Sequence, residues 1–286
     1  MGHITGTTKL IGLLLTPSSH SMAPTMYNAA LSYLGLDYVY VAFNCGLEGL
    51  EAAVAGLKAI GARGFNVSMP NKAQVIKYLD RVEPNAALMG AVNTVVIDDG
   101  FLIGHNMDGI GYMWSLAENN VNIIGRKITV IGAGGGSAAI CVQAAMDGVS
   151  EISIFNRRSP TFAVGEKLAE NINNNTSSSA RMYDLMDQKR LCEEIAGSVL
   201  LVDTTPVGMA PLEDSCNISD ISMLRSDLVV SDIVYHPRKT KLLKLAEECG
   251  CKTINGLSML LGQGAEGFKL WTGCDMPIKY VEQFMV

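Results

Sequence analysis

Two stretches of the chain set an ionisable side chain among amides where a strand hands over to a helix. NVSMPNK, residues 66–72, ends on Lys72, and HNMDG, residues 105–109, contains Asp108. Ligands of open α/β sheets bind outside such strand ends. Lys72, one turn into a helix, and Asp108, at a helix start, are therefore candidates for a proton-transfer pair acting on an alcohol during its oxidation. A lysine acts as a base only if its ordinary pKa of ~10.4 is lowered by burial or a neighbouring cation, and a nearby carboxylate opposes that. A solvated first-turn lysine and a helix-capping aspartate are the alternatives, and these residues taken singly leave both open.

An alcohol oxidation needs a hydride acceptor, and the run from Lys127 to Arg158 reads as its cradle. Ile128 to Ile131 is a short apolar strand that stops on Gly132. Ala133, Gly134, Gly135 and Gly136 follow, then a helix from Ser137 to Asp147 and a second strand from Glu151 to Phe155. Glycines in such a turn allow positive φ and a close backbone approach to a pyrophosphate, whose charge sits over the first amides of the next helix. Ser137 stands where GxGxxG has its third glycine, and a small residue still lets the helix pack on the strand. A purely structural turn is the alternative. The second strand ends on Asn156, Arg157 and Arg158 without an adjacent acid, a pattern suited to a 2′-phosphate and hence to NADP over NAD. An arginine that merely stacks on adenine would tolerate either cofactor.

The surrounding elements supply a frame for both stretches. Strands are expected at Leu10–Leu15, Tyr38–Phe43 and Gly64–Ser68, helices at Pro24–Leu34 and Leu47–Ile60, and a helix capped by Asn71 running to about Leu79. Ala91–Ile97 and Phe101–Ile103 form a hairpin across Asp98-Asp99-Gly100. The first hundred residues thus make a small α/β domain. After the cradle come a helix to about Asn171, a polar loop NNNTSSS, and strands at Ser198–Asp203, Leu228–Ile233 and Lys252–Ile254. Helices at Leu257–Trp271 and Ile278–Phe284 close the chain.

A chain of 286 residues with 48% hydrophobic and 17% charged side chains is long and apolar enough for two packed domains. The formal charge of −6 argues against nucleic acid as a partner. The start lacks a basic segment followed by an apolar core, and no apolar run reaches the ~18 residues of a membrane span, so a cytoplasmic enzyme is the expectation. Seven scattered cysteines without a CxxC pair disfavour a disulfide framework or zinc site, and the histidines at 3, 20, 105 and 236 form no ligand pattern. No metal is expected.

Eight stretches along nearly the whole chain carry a resemblance. SHSMAP (19–24), NVSMPNK, GAVNT (90–94), NMDG (106–109), GAGGGS (132–137), FNRR (155–158), TPVGM (205–209) and NGLSMLLGQGA (255–265) occur in that order. Together they resemble the shikimate dehydrogenases, most closely the quinate/shikimate dehydrogenase branch. The resemblance implies an α/β protein of two domains: an N-terminal α/β substrate domain, 1–107, completed by C-terminal helices 255–286, and a Rossmann-type NAD(P)-binding domain, 108–254. It implies Lys72 and Asp108 as the catalytic pair beside the carbinol. Asn93 and Gln263 would hold ring hydroxyls and Ser21 the substrate carboxylate, with Ser68, where many members have threonine, also binding substrate. Tyr40 and Tyr235 are weaker candidates for lining the substrate cleft. Thr205, Val207, Met209 and Gly256 join the cradle residues on the cofactor side.

The departures from the pattern spare the catalytic pair and fall on substrate contacts and, at Asp203, near the nicotinamide side. Ala23 replaces a second serine, Met107 a threonine, Asp203 an asparagine, Ser258 a glycine and Gly262 a bulkier residue. The expected reaction interconverts shikimate, or a related acid such as quinate, with its ketone using NADP or NAD. A dehydrogenase for another cyclic hydroxy acid and a catalytically weak binding protein are the alternatives; a proton-transfer pair would serve no purpose in the latter. A small-molecule substrate and, for assembly, a homodimer are the expected partners.

Overall fold

The structure is a computed structural model that describes residues 4–19 and 21–285. Two compact units divide the chain, Met1–Met107 with Gln263–Val286, and Asp108–Gly262.

The first unit holds a mixed six-stranded sheet made of β1 (Lys9–Leu15), β2 (Tyr38–Asn44), β3 (Gly64–Val67), β4 (Arg81–Val82), β5 (Thr94–Asp98) and β6 (Phe101–His105). Their spatial order is β2-β1-β3-β5-β6-β4. Three parallel strands, β2, β1 and β3, meet the antiparallel hairpin β5–β6. That hairpin turns on Asp99 (φ 46°) and Gly100 (φ 79°), the two positive φ values a type I′ turn requires. Helices α1 (Ala23–Tyr33), α2 (Leu50–Ala59) and α3 (Pro84–Met89) connect the strands. Proline lies within the first two positions of α1, as expected, and of α3. The helix expected after Asn71 is reduced to a 3₁₀ turn, Gln74–Tyr78. Asn71 does not cap it. Its buried amide donates to the Cys45 carbonyl at 2.8 Å, which ties the loop back to the end of β2.

The second unit is a six-stranded sheet, parallel throughout, made of β7 (Lys127–Ile131), β8 (Glu151–Asn156), β9 (Ser179–Asp184), β10 (Leu200–Asp203), β11 (Val229–Asp232) and β12 (Lys252–Ile254). The order β12-β11-β10-β7-β8-β9 is the doubly wound arrangement of dinucleotide-binding domains. Helix α4 (Asp108–Glu118) precedes β7; α5 (Gly135–Met146), α6 (Pro160–Asn175), α7 (Gln188–Ala196) and α8 (Lys241–Glu248) follow in chain order, and α9 (Gly256–Thr272) and α10 (Ile278–Val281) end the chain. The sequence reading omits edge strand β9, and it ends α6 too early. The asparagines of the supposed loop are helical, and Asn173 exchanges two hydrogen bonds with the Ala180 backbone, at 3.0 and 2.7 Å. That amide stands in for a neighbouring strand.

The division between the units falls inside α9, eight residues beyond the expected Asn255. A Cβ on Gly262 would lie 2.7 Å from the Gly111 carbonyl of α4, whereas one on Gly264 would lie 2.4 Å from the Met26 side chain of α1. Two residues apart and so on opposite faces of the helix, these glycines pack into different cores. Its last turn is fastened to the first sheet: Trp271 donates to the Val95 carbonyl at 3.0 Å, and Arg63 donates to the carbonyls of Trp271 and Ile97 at 2.9 and 2.8 Å. A cation at a helix C-terminus also complements its dipole.

Gly64 makes this fastening possible. A Cβ there would sit 2.3 Å from the Val95 carbonyl and 2.4 Å from the Trp271 indole nitrogen. Gly64→Ala should therefore cost about 1–3 kcal/mol of stability by overpacking. Chemical denaturation checks this, with Gly61→Ala as a control for positive-φ strain in open space (φ 73°). A midpoint equal to that of the parent would contradict the packing.

Candidate functional site

The candidate residues divide between the two units. In the first, a buried polar network passes through an otherwise apolar sheet. Asn66 on β3 accepts a hydrogen bond from the Tyr40 hydroxyl at 2.7 Å and donates to the Asn93 carbonyl and the Thr94 hydroxyl, both at 3.0 Å. Thr94 donates in turn to Asn93 Oδ1 at 2.9 Å, and the Met107 backbone N–H donates to the same oxygen at 2.9 Å. Two hydrogen bonds to the Asn93 oxygen thus fix the orientation of its amide. Tyr40 is 2% exposed and stacked on Tyr27 at 4.5 Å, so it is a core residue and does not line a cleft. Met107 is 4% exposed; replacing a hydrogen-bonding residue there adds core packing.

Lys72 sits half-buried on a loop held at several points. Its carbonyl accepts from Val92 N–H at 2.9 Å, Ser68 N–H donates to Leu14 at 3.0 Å, and Asn71 N–H donates to Ser68 at 2.8 Å. Ser68 and Ser21 are half-buried, and the Ser21 hydroxyl accepts from Ala23 N–H at 3.3 Å at the start of α1. His20, within the first motif, lies outside the described residues, as does His3. Gln263 is half-buried on α9.

In the second unit, half-buried Asp108 opens α4, and the glycine turn joins β7 to α5. Gly132 has φ 110°, and a Cβ on it would lie 2.3 Å from the Thr204 hydroxyl. Gly134 and Gly135 face open space at the helix start, so a side chain would fill room that a diphosphate can use. Ala133 and Ser137 are buried, and Ser137 Oγ lies 3.7 Å from Cys141 Sγ. Ser137 offers the turn its small volume and backbone rather than its hydroxyl. Gly136 packs against Ile233, and Gly256 is needed because a Cβ would fall 1.9 Å from the Ile233 carbonyl. The turn fits a dinucleotide.

The end of β8 corrects the sequence reading in one respect. An acid absent from the adjacent sequence is adjacent in space: Arg158 Nε donates to Asp184 Oδ2 at 2.9 Å, at the end of β9. Arg157 is exposed and reaches Asn217 Oδ1 at 3.5 Å, while Asn156 donates to the Thr161 hydroxyl at 2.8 Å. On the other side of the turn, Thr205 donates to Asp203 Oδ1 through both its N–H, at 2.8 Å, and its hydroxyl, at 2.7 Å. Val207 N–H donates to the Thr205 hydroxyl at 3.3 Å. Met209 and Tyr235 are 41% and 46% exposed. Among the described residues no group of three or more His, Cys, Asp or Glu could hold a metal ion.

Sequence reasoning gave no structural role to Asn66, Thr94, Asn217 or Asp232. Family models match two parts of the chain, the shikimate dehydrogenase substrate binding domain at residues 13–95 and the Shikimate 5'-dehydrogenase C-terminal domain at residues 256–283. The NADP(+) shikimate dehydrogenase of Listeria monocytogenes is 52% identical over 282 residues, 99% of this chain and 97% of that protein. The chain belongs to the shikimate dehydrogenase family. A quinate/shikimate dehydrogenase of Escherichia coli is 45% identical over 283 residues, 99% of this chain and 98% of the relative. A crystal structure of a Listeria monocytogenes shikimate 5-dehydrogenase in complex with shikimate and NAD matches with TM-score 0.99 at 52% identity, covering 100% of this chain and 99% of that one.

Within this family frame, the ends of β10 and β11 carry an electrostatic load. Asp203 and Asp232 are register partners, each 1% exposed. Asp203 also accepts from Asn217 at 2.8 Å, and Asp232 from the Thr240 hydroxyl at 2.7 Å and Val234 N–H at 2.9 Å. Burial raises both carboxyl pKa values against these hydrogen bonds, that of Asp232 to about 7, with Asp203's charge adding to the rise. The folded state therefore binds a proton that the unfolded chain releases near pH ~4. Stability should fall as pH rises from about 4 through about 7 and level off above, a loss of roughly 2–4 kcal/mol. Asp232→Asn should remove most of this slope. Thermal midpoints of both proteins at pH 5 and pH 8 check it: the variant should gain on the parent as pH rises, and a constant difference would contradict the assignment.

Proposed function

We infer that the chain interconverts shikimate and 3-dehydroshikimate, with NADP or NAD as hydride carrier. The observation that carries this reading is the retention of Lys72, Asn93 and Asp108 in a chain 52% identical over its length to an NADP(+) shikimate dehydrogenase. Ser21 and Ser68 are proposed to hold the substrate carboxylate, and Asn93 and Gln263 the ring hydroxyls. Bound NADP or NAD supplies the nicotinamide that takes up hydride from the carbinol carbon. Lys72 is proposed to accept the proton of the carbinol hydroxyl and, in reduction, to return one to the ketone oxygen. Asp108 is proposed to orient that hydroxyl.

Gly132 to Gly136 are proposed to receive the diphosphate, with Ser137 as a tight helix start. Asn156, Arg157 and Arg158 would meet the adenosine end. Thr205, Val207, Met209, Tyr235 and Gly256 would flank the nicotinamide end. A cytoplasmic location is proposed with this activity, supported by seven unpaired cysteines. No helix among the described residues is long and apolar enough to cross a membrane. A homodimer is the proposed assembly. In its favour, edge strand β2 exposes Val41 and Phe43, an arrangement suited to covering by a second copy.

Cofactor reduction, followed spectroscopically with shikimate, quinate and other cyclic hydroxy acids, tests the reading. Shikimate should support turnover, and reduction by none of the panel would overturn the reading. Lys72→Ala should lower kcat by about 10² to 10⁴ while leaving NADP affinity near that of the parent. Asp108→Asn should lose most activity although asparagine caps a helix about as well as aspartate. Parental turnover in Lys72→Ala would remove that lysine from the mechanism.

A further inference from the structure

We propose that Asp184 sets cofactor choice: by holding Arg158, it limits what a 2′-phosphate gains and so keeps NAD usable alongside NADP. The proposal rests on the reading that the adenosine end of the cofactor lies at the end of β8. Asp184 ends β9 in register with Asn156, beside the arginine pair. Its Oδ2 accepts from Arg158 Nε at 2.9 Å, and the guanidinium lies 4.8 Å above the Phe162 ring. Asp184 is the anchored partner, 24% exposed against 74% for Arg158. Its Oδ1 accepts from Met186 N–H at 3.0 Å, and its backbone carbonyl from Asp187 N–H at 3.0 Å.

A carboxylate held in this way cannot retreat when a second anion arrives. A phosphate monoester carries close to two negative charges at neutral pH. To use Arg158 it must share the guanidinium with Asp184 or break the ion pair. The ribose hydroxyl of NAD brings no charge and meets neither penalty. Arg157 is linked to an acid as well, through Asn217, whose amide donates to Asp203 Oδ2 at 2.8 Å. The arginine pair therefore presents less net positive charge than its sequence suggests.

Asp184→Asn removes the charge and keeps an oxygen for Met186 N–H. Competitive inhibition by 2′,5′-ADP and by 5′-AMP, which differ by the 2′-phosphate, reads the effect without involving the chemical step. The variant should bind 2′,5′-ADP roughly two- to fivefold more tightly than the parent, with the AMP constant essentially unchanged. In an Arg158→Ala background the same substitution should have no effect on the ratio. If Asp184→Asn leaves the 2′,5′-ADP to AMP ratio unchanged while Arg158→Ala lowers 2′,5′-ADP affinity, the proposal fails and the placement of the cofactor stands. If neither Arg157→Ala nor Arg158→Ala alters 2′,5′-ADP binding, the placement itself fails and the proposal with it.

Discussion

One buried amide holds the substrate-side loops together. Asn66 lies in the middle of an apolar sheet, and its three hydrogen bonds connect β2, β3 and β5. Through Thr94 and Asn93 the connection reaches the backbone of Met107, the residue before Asp108. In the other direction, Asn66 stands two residues before Ser68 and six before Lys72. An unsatisfied buried polar group costs about 1–3 kcal/mol, so each member of the network constrains its neighbours. The aromatic stack of Tyr27, Tyr40 and Trp271 seals the network and ties it to the last turn of α9. Packing of the core and orientation of the polar groups are thus one constraint.

The second unit faces a different problem, which for the proposed diphosphate site is to bring backbone close to a ligand without a side chain in the way. Parallel strands deliver their C-terminal ends to one edge, where glycines at 132, 136 and 256 let the backbone pack against Thr204 and Ile233 while Gly134 and Gly135 face open space. The same convergence buries Asp203 and Asp232 side by side. Their carboxylates shape the turns that follow β10 and β11 by accepting backbone N–H groups from Thr205 and Val234. Desolvation raises their pKa values in return.

Sequence reasoning reached features whose cause is local. The glycine turn, the hairpin at Asp99-Gly100 and the proline-started helix α1 each follow from a few adjacent residues. The parallel sheet of the second unit follows from alternating strands and helices. Features that depend on distant partners were hidden. Asn71 reads as a helix cap because its bond to Cys45 spans 26 residues, and the arginine pair reads as acid-free because Asp184 lies 26 residues from Arg158. Strand β9 was obscured by its polar edge character and by an asparagine-rich helix end. Tyr40 and Met107 showed their core roles only with their burial known. The candidate substrate residues are visible as motifs, but the polar network beside them is not.

In the proposed reaction the carbinol hydrogen of shikimate passes directly to the nicotinamide while its hydroxyl proton goes to the protein. Shikimate carrying deuterium at the carbon that becomes the ketone tests this in a single turnover, with the reduced cofactor read by mass spectrometry. Each reduced cofactor molecule formed should carry one deuterium. Reduced cofactor without the label would contradict it.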